Sequence, residues 1–208
     1  MPAPWDRRRP GRCDTAEVRL PEPDAIHAFI TGTPWSTLFH AYGSAADTPE
    51  HLRALVDGGD IRAALDHLSS AVVHQGTVWS ATPPALAVVG AVLAQGDLSQ
   101  ATVRRLLAVV DEATSALELD WTGEDFAAVE SRAARTFRKD VAAADDEDEF
   151  QELWDDNPEV VDELMRRAAV DCLRLFPALR EVVQPIDPEL AAKLELPQDL
   201  ADRVVVPS

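Results

Sequence analysis

Cysteine is nearly absent: Cys13 and Cys172 are the only two in 208 residues. One pair so far apart is not a disulfide framework, and no Cys-x-x-Cys spacing is present for a redox motif or a zinc ribbon. Aromatic residues make up only 6%, with a single tyrosine, which weighs against an all-β fold. Positive charge is also short, because 19 Lys and Arg stand against 37 Asp and Glu, a formal net charge of -18. A field of that sign repels phosphate backbones and argues against nucleic-acid binding. Long apolar runs are missing too. The longest, Ala85 to Ala94, is interrupted by Gly90 and falls short of the roughly 20 residues that a membrane helix needs. Arg7, Arg8, Arg9 and Arg12 are followed by no apolar stretch, so no signal peptide is read and the expected location is the cytoplasm.

Ala, Leu and Val dominate at helical spacing, which predicts an all-α chain. Prolines at 2, 4, 10, 21 and 23 mark residues 1–24 as a flexible N-terminal segment. Prolines at 185, 188, 197 and 207 mark 185–208 as an extended C-terminal tail holding at most one short helix. A helical repeat domain is expected over 25–184.

Within that domain, Trp35, Leu38, Phe39 and Tyr42 are spaced three and four apart, predicting one helical face. Asp47 or Thr48 is expected to cap a helix that Gly58-Gly59 ends, and Asp60 to cap a second running from Ile61 to about Val73. On that second helix Ile61, Ala64, Leu65, Leu68 and Val72 point inward, with Arg62, Asp66 and His67 nearer solvent. A further pair covers Pro84 to Leu93, apolar nearly all round, and Ala101 to about Leu117 after the cap Ser99. Thr122 then caps a helix from Gly123 to about Arg138 with Phe126, Val129, Ala133 and Phe137 on one face. The last long helix runs from Glu159 to about Phe176, and Pro177 ends it or introduces Ala178 to Val183. Two helical pairs 35 to 40 residues apart have the period of helical-pair solenoids.

The runs Trp35-Ser36-Thr37-Leu38-Phe39-His40-Ala41-Tyr42-Gly43-Ser44-Ala45-Ala46-Asp47-Thr48-Pro49 and His74-Gln75-Gly76-Thr77-Val78-Trp79-Ser80-Ala81-Thr82-Pro83-Pro84-Ala85 resemble a group of actinobacterial HEAT-repeat-like proteins. The resemblance covers about residues 35–95. It implies an α-α superhelix, a right-handed solenoid of HEAT-like repeats with proline-rich termini, and brings no catalytic residues with it.

Chemistry-bearing motifs are few. The histidines at 27, 40, 51, 67 and 74 form neither His-x-x-His nor His-Glu-x-x-His. His67 and His74 lie about two helical turns apart and would need ligands from another helix to hold a metal. His40, beside Phe39 and Tyr42, reads as a partly buried residue bonded to backbone. No Gly-x-Ser-x-Gly elbow or phosphate loop is present. The sequence therefore offers no catalytic, cofactor or metal residues, and no cofactor is expected.

Two regions remain as contact surfaces. The linker residues His74, Gln75, Thr77 and Trp79 can satisfy helix ends or meet a ligand. From Glu112 to Glu163 there are eighteen acidic residues against four basic ones. There Asp155, Asp156, Asp162 and Glu163, with Trp121 and Trp154 as apolar anchors, suit a partner with a basic surface. The expected function is a non-catalytic protein–protein interaction module, of the inhibitor or immunity type. The alternative is an enzyme or small-ligand-binding protein with a pocket near the 74–82 linker, which requires His40, His74 and a carboxylate to converge.

Overall fold

In a computed structural model, which describes residues 20–117, 129–144 and 146–205, the chain is all-α. Ten α-helices are present among the described residues, with two short hairpins and no closed sheet. None of these helices is long and apolar enough to cross a membrane.

Helix α1 (Ile26–Gly32) ends where Thr33 donates from both N–H and Oγ1 to Phe29 O. A single helix does not follow. After a 3₁₀ turn at Trp35–Thr37 the chain extends into β1 (Phe39–His40), which pairs antiparallel with β2 (Gly43–Ser44). Trp35 and Phe39 are buried, but Tyr42 is 46% exposed. The expected four-residue face is thus corrected, and the reason lies far along the chain. The N–H of Phe39 donates to Ser80 Oγ at 2.8 Å, its carbonyl accepts from the N–H of Ala81, and the N–H of Ala41 donates to Ala71 O. These partners satisfy the backbone in extended form, so local periodicity loses to tertiary hydrogen bonding.

Helix α2 (Thr48–Asp57) has Pro49 in its first turn and Gly58 at φ 73° after its last, the left-handed stop that favours glycine. Asp60 caps α3 (Ile61–His67) by accepting the N–H of Ala63. A π turn over Leu68–Val72 follows, and the chain enters a second hairpin, β3 (Val73–His74) against β4 (Thr77–Val78). Gln75 at φ 50° and Gly76 at φ 70° form its tip, the doubly positive turn that matches strand twist. Thr82 fastens the exit: its Oγ1 donates to Val72 O and accepts the N–H of Trp79.

Helix α4 (Thr82–Gln95) is buried from Ala85 to Leu93 on all sides. It packs against α1, α2, α5 (Gln100–Ser115) and the long helix α8 (Pro158–Val183). At Gly90 a Cβ would stand 2.7 Å from Leu179 Cδ2 and 2.8 Å from Leu20 Cδ2, so both leucine side chains would have to shift to admit one. Ser99 caps α5 as its sequence position predicts.

In the second half, α6 (Arg132–Ala143) is capped by Ser131 and α7 (Glu147–Asp156) by Asp146. Thr122, Gly123 and Phe126 lie outside the described residues. Val129 is 86% exposed and precedes the helix, Ala133 is exposed, and the buried face is Ala134, Phe137 and Val141. Helix α8 continues through Pro177 instead of stopping there. Pro177 is on the exposed side, where water most readily replaces the helical bond it cannot donate. Phe176, Leu179 and Val183 extend the buried stripe beyond it. The proline-rich stretch after 185 is helical rather than extended, forming α9 (Pro188–Lys193) and α10 (Gln198–Val205), and Leu190, Ala191, Leu194 and Leu200 are buried.

Two apolar cores result. The larger surrounds α4. The smaller gathers Ala134, Phe137, Val141, Phe150, Val161 and Leu164 around Phe39. The Phe39 ring is 5.9 to 6.4 Å from the rings of Trp79, Phe137, Phe150 and Trp154. Phe39 therefore pins β1, and with it the next residue, His40, to the second half of the chain.

Candidate metal centre

His40 follows Phe39 on β1, Asp47 ends the 3₁₀ turn before α2, and His67 is the last residue of α3. Their ligand atoms all lie within 4.8 Å of one another. His67 stands three residues after Ala64, so helical spacing puts it on the buried face of α3. Its side chain is 7% exposed, which corrects the expectation that it faces solvent. The His40 side chain is 6% exposed and that of Asp47 55%, so two imidazoles form the floor and one carboxylate the rim.

Each member has further partners. His40 Nε2 is 3.1 Å from Asp47 Oδ1, and its Nδ1 accepts the N–H of Tyr42 at 3.2 Å. His67 Nδ1 is 3.8 Å from Asp47 Oδ2, while its Nε2 bonds the buried Thr48 Oγ1 at 3.0 Å. His51, one turn into α2, lies parallel to the His67 ring at a centroid distance of 4.2 Å and 11° between planes. The His40 and His67 rings meet edge to face at 5.3 Å. Asp47, expected as a helix cap, makes no capping bond and serves the histidines instead.

The electrostatics leave His67 and Asp47 in the states a cation requires. Burial lowers the pKa of His67 to about 4; Asp47 opposes this, and the neighbouring imidazoles of His51 and His40 add to it. His67 is therefore neutral at pH 7. Partial burial pushes Asp47 upward, but the His40 hydrogen bond and the two imidazoles outweigh it and hold the carboxyl at about 2. A metal would meet a neutral imidazole and an ionised carboxylate without first displacing their protons.

The donor set fits a divalent transition metal: two imidazoles and a carboxylate suit zinc, iron or manganese. The 3.1 Å separation of His40 Nε2 from Asp47 Oδ1 suits two ligands of one ion. Two ligands each about 2.1 Å from an ion are at most about 4.2 Å apart, so any separation near the 4.8 Å bound must close by about 0.6 Å or more. Three protein ligands leave positions open, as in sites that bind water or substrate rather than closed structural sites. The order Thr48–His67–Asp47 also resembles a nucleophile–base–acid relay. Thr48 is completely buried, and no substrate can reach its hydroxyl.

This cluster overturns the reading of a non-catalytic interaction module and the leaning against an enzyme, and it favours the alternative. The third member differs from the one expected: His67 joins His40 and Asp47, while the half-buried His74 is not among the converging ligands and holds its ring 5.5 Å from Tyr42, whose ring is 6.3 Å from His40. Gln75 is exposed at the hairpin tip, and Thr77 pairs with His74 in the ladder. Trp79 packs on Trp154 at 5.4 Å, and its buried Nε1 has no hydrogen-bond partner among the described residues. The acidic candidates lie apart from the cluster on α7 and α8. Asp155 accepts from Gln151 and Asp162 from Arg166, and Asp156 is exposed. Glu163 accepts the N–H of Ser131 at 2.8 Å; although burial raises its pKa, the Ser131 bonds bring it below the usual range, and it ties α8 to the start of α6. Trp121 lies outside the described residues.

His40 is expected at a site only in the alternative that joins it to His74 and a carboxylate, and Asp47, Thr48, His51 and His67 are not expected there at all. No compact motif joins them. The one available signal was the confinement of all five histidines to residues 27–74. No protein-family model matches the chain, and no curated protein or solved structure does either.

Proposed function

We propose that this protein binds a divalent transition metal ion through His40, Asp47 and His67 and offers its remaining coordination positions to water or a small ligand, as an enzyme or ligand-binding protein. The carrying observation is the convergence of three ligand atoms within 4.8 Å, two of them on buried imidazoles. Burial is what separates this group from ordinary surface His–Asp pairs such as His27 with Asp57, where both side chains are more than half exposed. A metal held by His40, Asp47 and His67 would supply an acidified water as nucleophile near neutral pH, so hydrolysis is the reaction class this donor set favours.

The test is titration of the purified chain with zinc and with cobalt, followed by calorimetry and by the cobalt absorption spectrum. One equivalent should bind, and His67→Ala and His40→Ala should each weaken binding at least a hundredfold. Equal zinc affinity in the wild type and both variants would defeat the reading.

The finer architectural reading, a right-handed HEAT-like solenoid similar to actinobacterial proteins over 35–95, belongs to this proposal. It is supported by the packed pairs α2–α3 and α4–α5. The enclosure of α4 by α8, far along the chain, departs from a one-dimensional stack. A cytoplasmic location is supported by the low cysteine content and by Cys172, which is free and buried.

A further inference from the structure

The two histidines of the cluster are held in different ways by their second partners. A backbone N–H can only donate, so the bond from Tyr42 N to His40 Nδ1 requires a lone pair on Nδ1. The single proton of neutral His40 must then sit on Nε2, where it donates to Asp47 Oδ1. His67 is not constrained in this way, because the Thr48 hydroxyl that meets its Nε2 can accept as well as donate. With Nε2–H donating to Thr48, His67 presents the Nδ1 lone pair toward Asp47. Thus His67 can be poised for a metal while His40 is not: a cation cannot share Nε2 with a proton.

We propose that metal loading is coupled to a rearrangement of the Ala41–Tyr42 turn, with the backbone N–H of Tyr42 acting as the lock and the Tyr42 side chain as the moving part. The inference rests on the metal reading above. For His40 to ligate through Nε2, its proton must pass by way of solvent to Nδ1; no proton is gained or lost overall. Nδ1–H and Tyr42 N–H are then two donors facing one another at what was a 3.2 Å hydrogen bond, and one must turn away. His40 has little room, since β1 is fixed by Ser80 and Ala81 through Phe39 and the ring is buried against His67. Tyr42 has room: it is 46% exposed and lies in the two-residue turn between paired His40 and Gly43. Its ring stands between those of His40 and His74, so turning the Tyr42 peptide shifts the side chain beside the linker histidine. The metal would thereby remodel the contact between the two hairpins.

Amide and imidazole nitrogen NMR of the full-length protein, titrated with zinc, tests this. At one equivalent the His40 Nδ1 resonance should move from the acceptor to the protonated range. The Tyr42 amide should shift and lose at least about tenfold of its hydrogen-exchange protection, while the Ala81 amide, bonded to Phe39 O, keeps its own. Zinc binding that shifts His67 but leaves the His40 tautomer and the Tyr42 amide unchanged would overturn the coupling and leave the metal site standing. No zinc-induced shift at any of the three ligands would overturn both.

Discussion

The two halves of the molecule obey different rules. From Ser131 to Val183, Pro177 within α8 apart, the chain behaves as helix chemistry dictates: short polar residues cap α6 and α7, the apolar stripes face inward, and carboxylates such as Asp155 and Asp162 pair along their own helices. From Trp35 to Thr82 local rules are repeatedly broken. A helical spacing becomes a hairpin, α3 gives way to a π turn, a non-glycine residue occupies positive φ, and a cap residue turns to two histidines. Such breaks concentrate where structure serves something other than stability. The stretch from Glu112 to Glu163 carries most of the net charge, with eighteen acidic residues against four basic ones, yet the convergent ligands lie in the histidine-bearing half.

That contrast can be broken most forcefully at the residue joining the halves. Phe39→Ala empties the centre of the smaller core, and a loss of about 3–5 kcal/mol is expected in urea unfolding. Zinc affinity should fall with it because His40 loses its anchor; a loss below about 1 kcal/mol would mean that the halves are not joined through Phe39.

The next effect is on pH dependence in metal-free protein. His67 has a folded pKa of about 4 against 6.5 for the free group. Between these values the unfolded chain binds the proton and the folded chain does not, so stability rises with pH in that window. No part of it is lost above about 6.5, and up to about 3 kcal/mol is lost as pH falls to 4. Asp47, held at about 2, adds a further loss below 3.8. Unfolding at pH 7 and pH 4.5 should show the slope in the wild type, and His67→Gln should flatten it.

A sharper comparison makes one chemical change in both regions. Asp47→Asn is expected to lower zinc affinity about tenfold to a hundredfold by calorimetry, since the neutral amide is a poor ligand beside two imidazoles. Asp162→Asn removes an exposed i,i+4 partner of Arg166 and should leave zinc binding unchanged, with stability altered by less than about 0.5 kcal/mol. Equal effects at the two positions would erase the distinction between the halves.

Much of the fold was legible because its causes are local. Ser99 and Asp60 read as caps and Gly58 as a stop because each acts on backbone within four residues of itself. The burial of α4 on all sides follows from a run with no polar face. The metal centre was not legible, because each of its residues had a sufficient local explanation. Asp47 looked like a cap. His67 looked like the polar edge of a helix whose inward stripe had been counted from apolar residues alone.

The sequence by itself determined an all-α chain, most of its helix starts and the wholly apolar helix at its centre, since periodicity and capping act over one or two turns. Only the tertiary structure decided that residues 39–44 are extended, that His67 points inward and that His40, Asp47 and His67 meet. Those outcomes depend on a hydrogen bond between segments 41 residues apart, on the packing of Phe39 against Phe137, Phe150 and Trp154 from the far half of the chain, and on burial, which sets the protonation of His67 and is a property of the surroundings rather than of the residue.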